Sequence, residues 1–207
     1  MRIAIFGAGG FIGSHLVEHL LASSDHELAG LDVEESKLEG IQSDRFLFYK
    51  ADVRTSPDLV EEVVRQSDVV IDLIAHAKPS LYVEVPLEVV DLNLWENLKV
   101  IELCVKHGKR LIQYSSCEVY GKPTLGAEAW VEDESDSVYG PIDKQRWIYA
   151  CAKQLLERIL FAHGQGGDLE YTIIRPFNFV GPRMDYLVAP QSMGGPRVFA
   201  HFMSSLL

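Results

Sequence analysis

The sequence predicts an α/β fold, a doubly wound parallel sheet, on three observations. Short β-rich runs alternate with helical patterns along the whole chain. The first, fourth and fifth runs are nearly all apolar, as strands covered on both faces must be. A glycine cluster in "IAIFGAGGFIGSHL", residues 3–16, joins the first strand directly to the first helix.

Taken in order, the strands are "RIAIF", "HELAGL", "RFLFY", "DVVIDLI", "KRLIQYS" and "YTIIRP". Helices are predicted over 11–22, 57–66, 91–107 and 144–163. Ser56-Pro57 marks a helix start with proline in the first turn, and His107-Gly108 marks a stop. Residues 118–143 form a long polar loop and 176–194 a second one rich in Pro and Gly, and loops of that length in a compact domain are usually functional.

Composition bounds the function. With 207 residues, 47% of them hydrophobic, the chain can bury a sizeable core. No run approaches the roughly 20 apolar residues that cross a bilayer, and no signal-peptide pattern opens the chain, so no membrane or secretory role is expected. The formal charge of −11 argues against a nucleic-acid surface, so cationic contacts to an anionic ligand must be local. Cys104, Cys117 and Cys151 are spaced for neither a disulfide framework nor a metal site, which fits a reducing cytoplasm and no metal.

Gly7, Gly10 and Gly13 have the chemistry of a dinucleotide turn. Gly7 makes the tight turn, Gly10 lets the backbone approach a pyrophosphate, and Gly13 lets the helix pack closely. The pyrophosphate then sits on the helix N-terminus, at Phe11, Ile12 and Gly13, where free N–H groups and the helix dipole favour an anion. Asp32 ends the second strand 19 residues after Gly13, where a carboxylate accepts from ribose hydroxyls and repels a 2′-phosphate, favouring NAD over NADP. Asp52, after the third strand, either approaches the adenine or forms a turn.

Tyr149 and Lys153 stand four apart on a helix and share a face. An ammonium beside a phenol favours the phenolate, which makes tyrosine a base at moderate pH. At the end of the fifth strand, "YSSCEVYG" supplies Ser116, as a hydroxyl for the same substrate oxygen or a loop cap, and Glu118, as a second acid/base or a surface carboxylate.

With these motifs in this order, and with "RPFNFVGPR" after the sixth strand, the chain resembles the extended short-chain dehydrogenase/reductases, the NAD-dependent epimerase/dehydratase family of nucleotide-sugar enzymes. "SSCEVYGK", "DKQRWIYACAKQLLERIL" and "RPFNFVGPRMD" look most like its UDP-glucuronate decarboxylase branch, which includes plant UDP-apiose/UDP-xylose synthases. Dehydratases of the family carry Asp-Glu where this chain has Cys117-Glu118, which disfavours dehydration. Ala77 stands where the apiose-forming enzymes have a second cysteine, which argues against ring contraction to apiose.

The resemblance implies a Rossmann-fold NAD-binding domain over 1–175 and, over 176–207, the start of a substrate-binding region that family members continue well past this length. It implies that Ser116, Tyr149 and Lys153 carry the oxidation of a UDP-sugar, that Lys153 also holds the cofactor, and that Glu118 assists decarboxylation. Asn178 matches a substrate-contacting position. Arg146, Arg183 and Arg197 are candidates for phosphate or carboxylate, each alternatively a loop-bracing residue, and Arg175 is the weakest of the arginines. A homodimer through the helices at 91–107 and 144–163 is a further implication. The competing readings are a 4-epimerase or dehydratase of the same family and, from another class, an inactive NAD-binding remnant or interaction module.

Overall fold

The computed structural model describes residues 1–123, 129–132, 134–184 and 202. Its backbone divides into two units, Met1–Phe177 and Asn178–Leu207.

The first unit is built on six strands: β1 (Arg2–Phe6), β2 (Glu27–Asp32), β3 (Phe46–Lys50), β4 (Val69–Asp72), β5 (Arg110–Tyr114) and β6 (Tyr171–Ile174). All pair in parallel in the order β3-β2-β1-β4-β5-β6, so the chain reverses its direction of travel between β1 and β4. That reversal opens a crevice at the carboxyl ends of β1 and β4, where ligands of open α/β sheets bind.

Alternation along β1 separates two cores. Ala4 and Phe6 face one side with Val60, Val63 and Val64 of α2 (Pro57–Gln66), and with residues of two later helices. Ile3 and Ile5 face the other side with Val17 of α1 (Phe11–Ser23), Leu28 and Ile71. Each fully buried large aliphatic side chain contributes roughly 1.5–3 kcal/mol.

Two short helices not expected from the sequence follow β4: α3 (Leu81–Glu84) and α4 (Pro86–Val90), which starts on its proline. The helix expected over 91–107 has two parts. Residues Asp91–Glu96 form a π-helical turn, and α5 (Asn97–His107) continues from it. Two asparagines account for the wide turn. Asn93 brackets the backbone of His76, accepting from its N–H at 2.7 Å and donating to its carbonyl at 3.1 Å. Asn97 donates to Leu92 O at 2.9 Å and to Ile74 O at 3.3 Å. Single π-turns of this kind occur often at functional sites, because they aim side chains that a regular helix would direct elsewhere. The predicted stop holds: Gly108 closes α5 in the left-handed conformation, φ 61°. The last helix, α6 (Ile148–Gly166), begins after a 3₁₀ turn at Gln145–Trp147 and ends against Gly167, φ 76°.

No helix among the described residues is long and apolar enough to cross a membrane. The cysteines are free. Among the described residues no group of three or more His, Cys, Asp or Glu is placed to hold a metal.

Candidate active site

The carboxyl ends of β1 and β2 meet in the glycine turn. Gly7 has φ 83°, which L side chains rarely adopt, and a Cβ there would also meet Leu73 at 3.1 Å. A Cβ at Gly13 would fall 2.1 Å from Gly7 O, so the first turn of α1 lies against the loop that precedes it. Gly10 is the N-cap of α1 and a Cβ on it would meet only Gly7 O, at 3.2 Å. The helix has no side-chain cap and no acidic residue in its first turn, which leaves the N–H groups of Phe11, Ile12 and Gly13 suited to an anion.

Gly9 belongs to this cradle and the G-x-x-G-x-x-G spacing passes over it. Its N–H donates to Asp32 Oδ2 at 3.0 Å, and a Cβ on Gly9 would fall 1.7 Å from Glu34 O. The contiguous pair Gly9-Gly10 is the only sequence signal for it. Asp32 Oδ1 accepts from Glu34 N at 3.1 Å. Burial pushes the Asp32 carboxyl up, against the backbone N–H bonds that lower it. Asp52 forms a fork with Arg54, at 2.7 to 3.1 Å, which holds its carboxyl below the usual range.

The second cluster lies at the end of β5. Ser116 N-caps a 3₁₀ turn over Cys117–Tyr120, its Oγ accepting from Glu118 N at 3.2 Å. The same hydroxyl lies near the phenol of Tyr149, in the first turn of α6, and lowers its pKa. Tyr149 is buried and stacked on Tyr82 of α3, with ring centroids 4.6 Å apart and planes 7° from parallel. Burial pushes the phenol up, the Ser116 hydroxyl lowers it, and the charges of Glu118 and Cys117 raise it.

Lys153, one turn along α6, is 1% exposed. Its ammonium donates to Tyr114 O at 3.0 Å and to Asn97 Oδ1 at 3.4 Å. Burial lowers its pKa to about 8. Sequence reasoning expects Lys153 to act on the phenol. In this structure burial dominates Tyr149, and the ammonium is directed to β5 and α5.

Arg146 and Glu118, 28 residues apart in sequence, form a two-point ion pair at 2.8 and 2.9 Å. Arg175 is internal, forked onto the buried Glu157 of α6 at 2.6 to 3.2 Å and set over the Tyr120 ring at 4.9 Å. Asn178, which is exposed, and Arg183, with φ 63°, lie in the second unit. Arg197 lies outside the described residues.

Asn93, Asn97 and Tyr82 are site residues that the sequence reading misses. The two asparagines four apart in "NLWEN" are the one signal it offers for the first two.

A profile of the NAD dependent epimerase/dehydratase family matches residues 3–205. The whole chain aligns with UDP-D-apiose/UDP-D-xylose synthase of Oryza sativa subsp. japonica at 41% identity, covering 57% of that protein. It aligns with UDP-D-apiose/UDP-D-xylose synthase 1 of Arabidopsis thaliana at 40% identity, covering 59%. The chain thus spans under three-fifths of these relatives.

Among solved structures it is similar to the PbgP3 protein of Burkholderia pseudomallei, with TM-score 0.84 and 39% identity over 89% of this chain and 55% of that one. It is also similar to the UDP-glucose 4-epimerase of Thermus thermophilus in complex with NAD, with TM-score 0.75 and 30% identity over 89% of this chain and 58% of that one. The crevice at the strand-order reversal, the glycine cradle beside Asp32 and the match along almost the entire sequence agree: the chain belongs to the NAD-dependent epimerase/dehydratase family.

Proposed function

We propose that this chain carries the cofactor and proton-transfer machinery of an NAD-dependent nucleotide-sugar enzyme that oxidatively decarboxylates UDP-glucuronate to a UDP-pentose or UDP-4-keto-pentose. The observation that carries the reading is the buried Tyr149 phenol near the buried Ser116 and the Glu118–Arg146 pair, at the carboxyl edge of the sheet. NAD binding alone has no use for such a phenol. The similarity to the two plant synthases points the same way.

The cradle of Gly7, Gly9, Gly10 and Gly13, the first turn of α1 and Asp32 would hold NAD. When bound, NAD supplies the two-electron oxidant for the sugar 4-hydroxyl, and a carboxylate β to the resulting ketone leaves as CO₂. Tyr149 accepts the hydroxyl proton at Oη, and the Ser116 hydroxyl, near the phenol, orients the substrate oxygen. The resemblance assigns Lys153 to the same proton transfer and to the cofactor, from one turn along α6, its ammonium directed here to Tyr114 O and Asn97 Oδ1. Arg146 presents a planar fork that already takes the carboxylate of Glu118, the same chemistry as a uronate carboxylate. Once released from that fork, Glu118 serves as acid/base at the decarboxylation step. Asn178, Arg183 and Arg197 are assigned to the UDP-sugar on the resemblance alone.

A homodimer fits the large apolar side chains left outside: Leu87, Trp95 and Leu155 are all exposed on α4, the π-turn and α6. The free cysteines suit a reducing cytosol.

The test is to incubate the full-length gene product with UDP-glucuronate and NAD⁺ and follow CO₂ and NADH absorbance together. CO₂ with accumulating NADH identifies release of the keto sugar, and CO₂ alone identifies a completed redox cycle. Absence of both removes UDP-glucuronate and turns the assignment to 4-epimerisation of another nucleotide sugar.

A further inference from the structure

Behind the site lies a polar chain that neither the motifs nor the proposed reaction uses. Asp72 ends β4, the strand next to β1, and is fully buried although the sequence pattern there calls for an apolar residue. Its Oδ1 accepts from Ile74 N at 2.9 Å, and its Oδ2 accepts from Gln113 Nε2 at 3.3 Å. Gln113 Nε2 also donates to Asn97 Oδ1 at 3.0 Å, the oxygen that takes the Lys153 ammonium at 3.4 Å. Asp72, Gln113, Asn97 and Lys153 are all 1% exposed or less.

A buried ammonium without a counter-charge is costly, and such groups are normally paired. The charged groups around this one favour one carboxylate. On α6, Glu157 also raises Lys153, less than Asp72 does, and its carboxylate is already forked onto Arg175 of the β6 end. Tyr149 is neutral at ordinary pH, its phenol pushed up by burial. On α5, Cys104 is a neutral thiol, pushed up to about 12 by burial and by the charge of Asp72, with Lys109 acting the other way. On β5, Gln113 and the phenol of Tyr114 carry no charge.

We propose that Asp72 is the buried counter-charge of Lys153, a positioning residue that holds the ammonium charged and aimed through the Gln113–Asn97 bridge. This rests on the reading of Tyr149 and Lys153 as the proton-transfer pair. The electrostatics agree in direction: the charge of Asp72 raises Lys153 against the burial that lowers it, and the charge of Lys153 lowers Asp72 against the burial that pushes its carboxyl up. The wide π-turn takes part as well, because it sets the start of α5, where Asn97 reaches both neighbours.

The test is Asp72→Asn, which keeps the shape and removes the charge. Lysine labelled with ¹³C at Cε reports the Lys153 titration by NMR, assigned with Lys153→Met. We expect its midpoint to fall by about one pH unit or more in the variant, and the alkaline limb of the pH–kcat profile to move down with it, because each unit is a tenfold change in the charged fraction. An unmoved midpoint overturns the proposal. If the protein turns over no UDP-glucuronate, the functional reading fails while the NMR titration still decides the role of Asp72.

Should Asp72→Asn not fold, urea midpoints of Lys153→Met and of Asp72→Asn/Lys153→Met decide instead. A counter-charge has nothing left to neutralise once the lysine is gone, so the asparagine then raises the midpoint. A lower midpoint in the double variant overturns the proposal.

Discussion

Arg146 grips Glu118 through two hydrogen bonds, 2.8 and 2.9 Å, across 28 residues of sequence. Both side chains are partly in water, 52% and 29% exposed, so the pair contributes at most about 1 kcal/mol to stability. Its effect is therefore expected in activity rather than in stability. Arg146→Gln is expected to leave the melting temperature nearly unchanged. It should lower kcat/KM for the UDP-sugar on the order of 10- to 100-fold with NAD retention intact. Steady-state kinetics beside a thermal melt measure both, and parallel loss of NAD binding would place Arg146 outside the sugar site.

The four glycines of the turn should fail in different ways. Gly9→Ala drives a methyl to 1.7 Å from Glu34 O, which the backbone cannot absorb in place, so we expect a loss of roughly 1–3 kcal/mol in urea unfolding together with lost NAD retention. Gly10→Ala meets only Gly7 O at 3.2 Å, so the fold should persist while NAD affinity falls at least tenfold. Equal NAD affinity in Gly10→Ala and the parent would move the pyrophosphate away from this turn.

Much of this was readable from the residues, for physical reasons that also mark where reading stopped. The strands and the glycine turn are local patterns, and β1 needs nothing beyond its own alternation of Ile3 and Ile5 against Ala4 and Phe6. The helix over 91–107 was legible as apolar periodicity, yet the π-turn inside it is caused by bonds to His76 and Ile74, on a different element. Asp72 sits in a run whose neighbours are all apolar, and its bridge to Lys153 joins positions far apart through two amides that carry no motif. The same holds for Arg146 and Glu118: each was singled out as a candidate, but their pairing exists only once the β5 loop meets the turn before α6. Side chains that act through distant partners leave little trace in spacing.

Tyr149 stacks on Tyr82, and the two rings should separate chemistry from packing. Tyr149→Phe keeps the stack and removes the proton acceptor, so kcat should fall by about 10²–10⁴ with a stability change of about 1 kcal/mol or less, the worth of one hydroxyl. Tyr82→Ala, at a position 3% exposed, removes a buried ring and should cost about 3–5 kcal/mol. Thermal melts with single-turnover assays distinguish the two. Comparable kcat in Tyr149→Phe and the parent would pass the base role to another group.

The buried ammonium also fixes a pH dependence of folding. Lys153 falls from 10.5 in its ordinary state to about 8 in the folded protein, so between those values the unfolded chain binds more protons. Stability must then rise with pH across that window, because the folded state is penalised for holding the charge only while the charge is there. Below about 8 both states are protonated and the penalty is complete; above 10.5 both are neutral and it is gone. The full span is about 3 kcal/mol. Subtracting the unfolding free energy of Lys153→Met from that of the parent, by urea titration between pH 7.5 and 10.5, isolates this group from the others that titrate there, and the difference should climb steadily. A flat difference would mean that the folded site leaves the Lys153 proton as firmly held as the unfolded chain does.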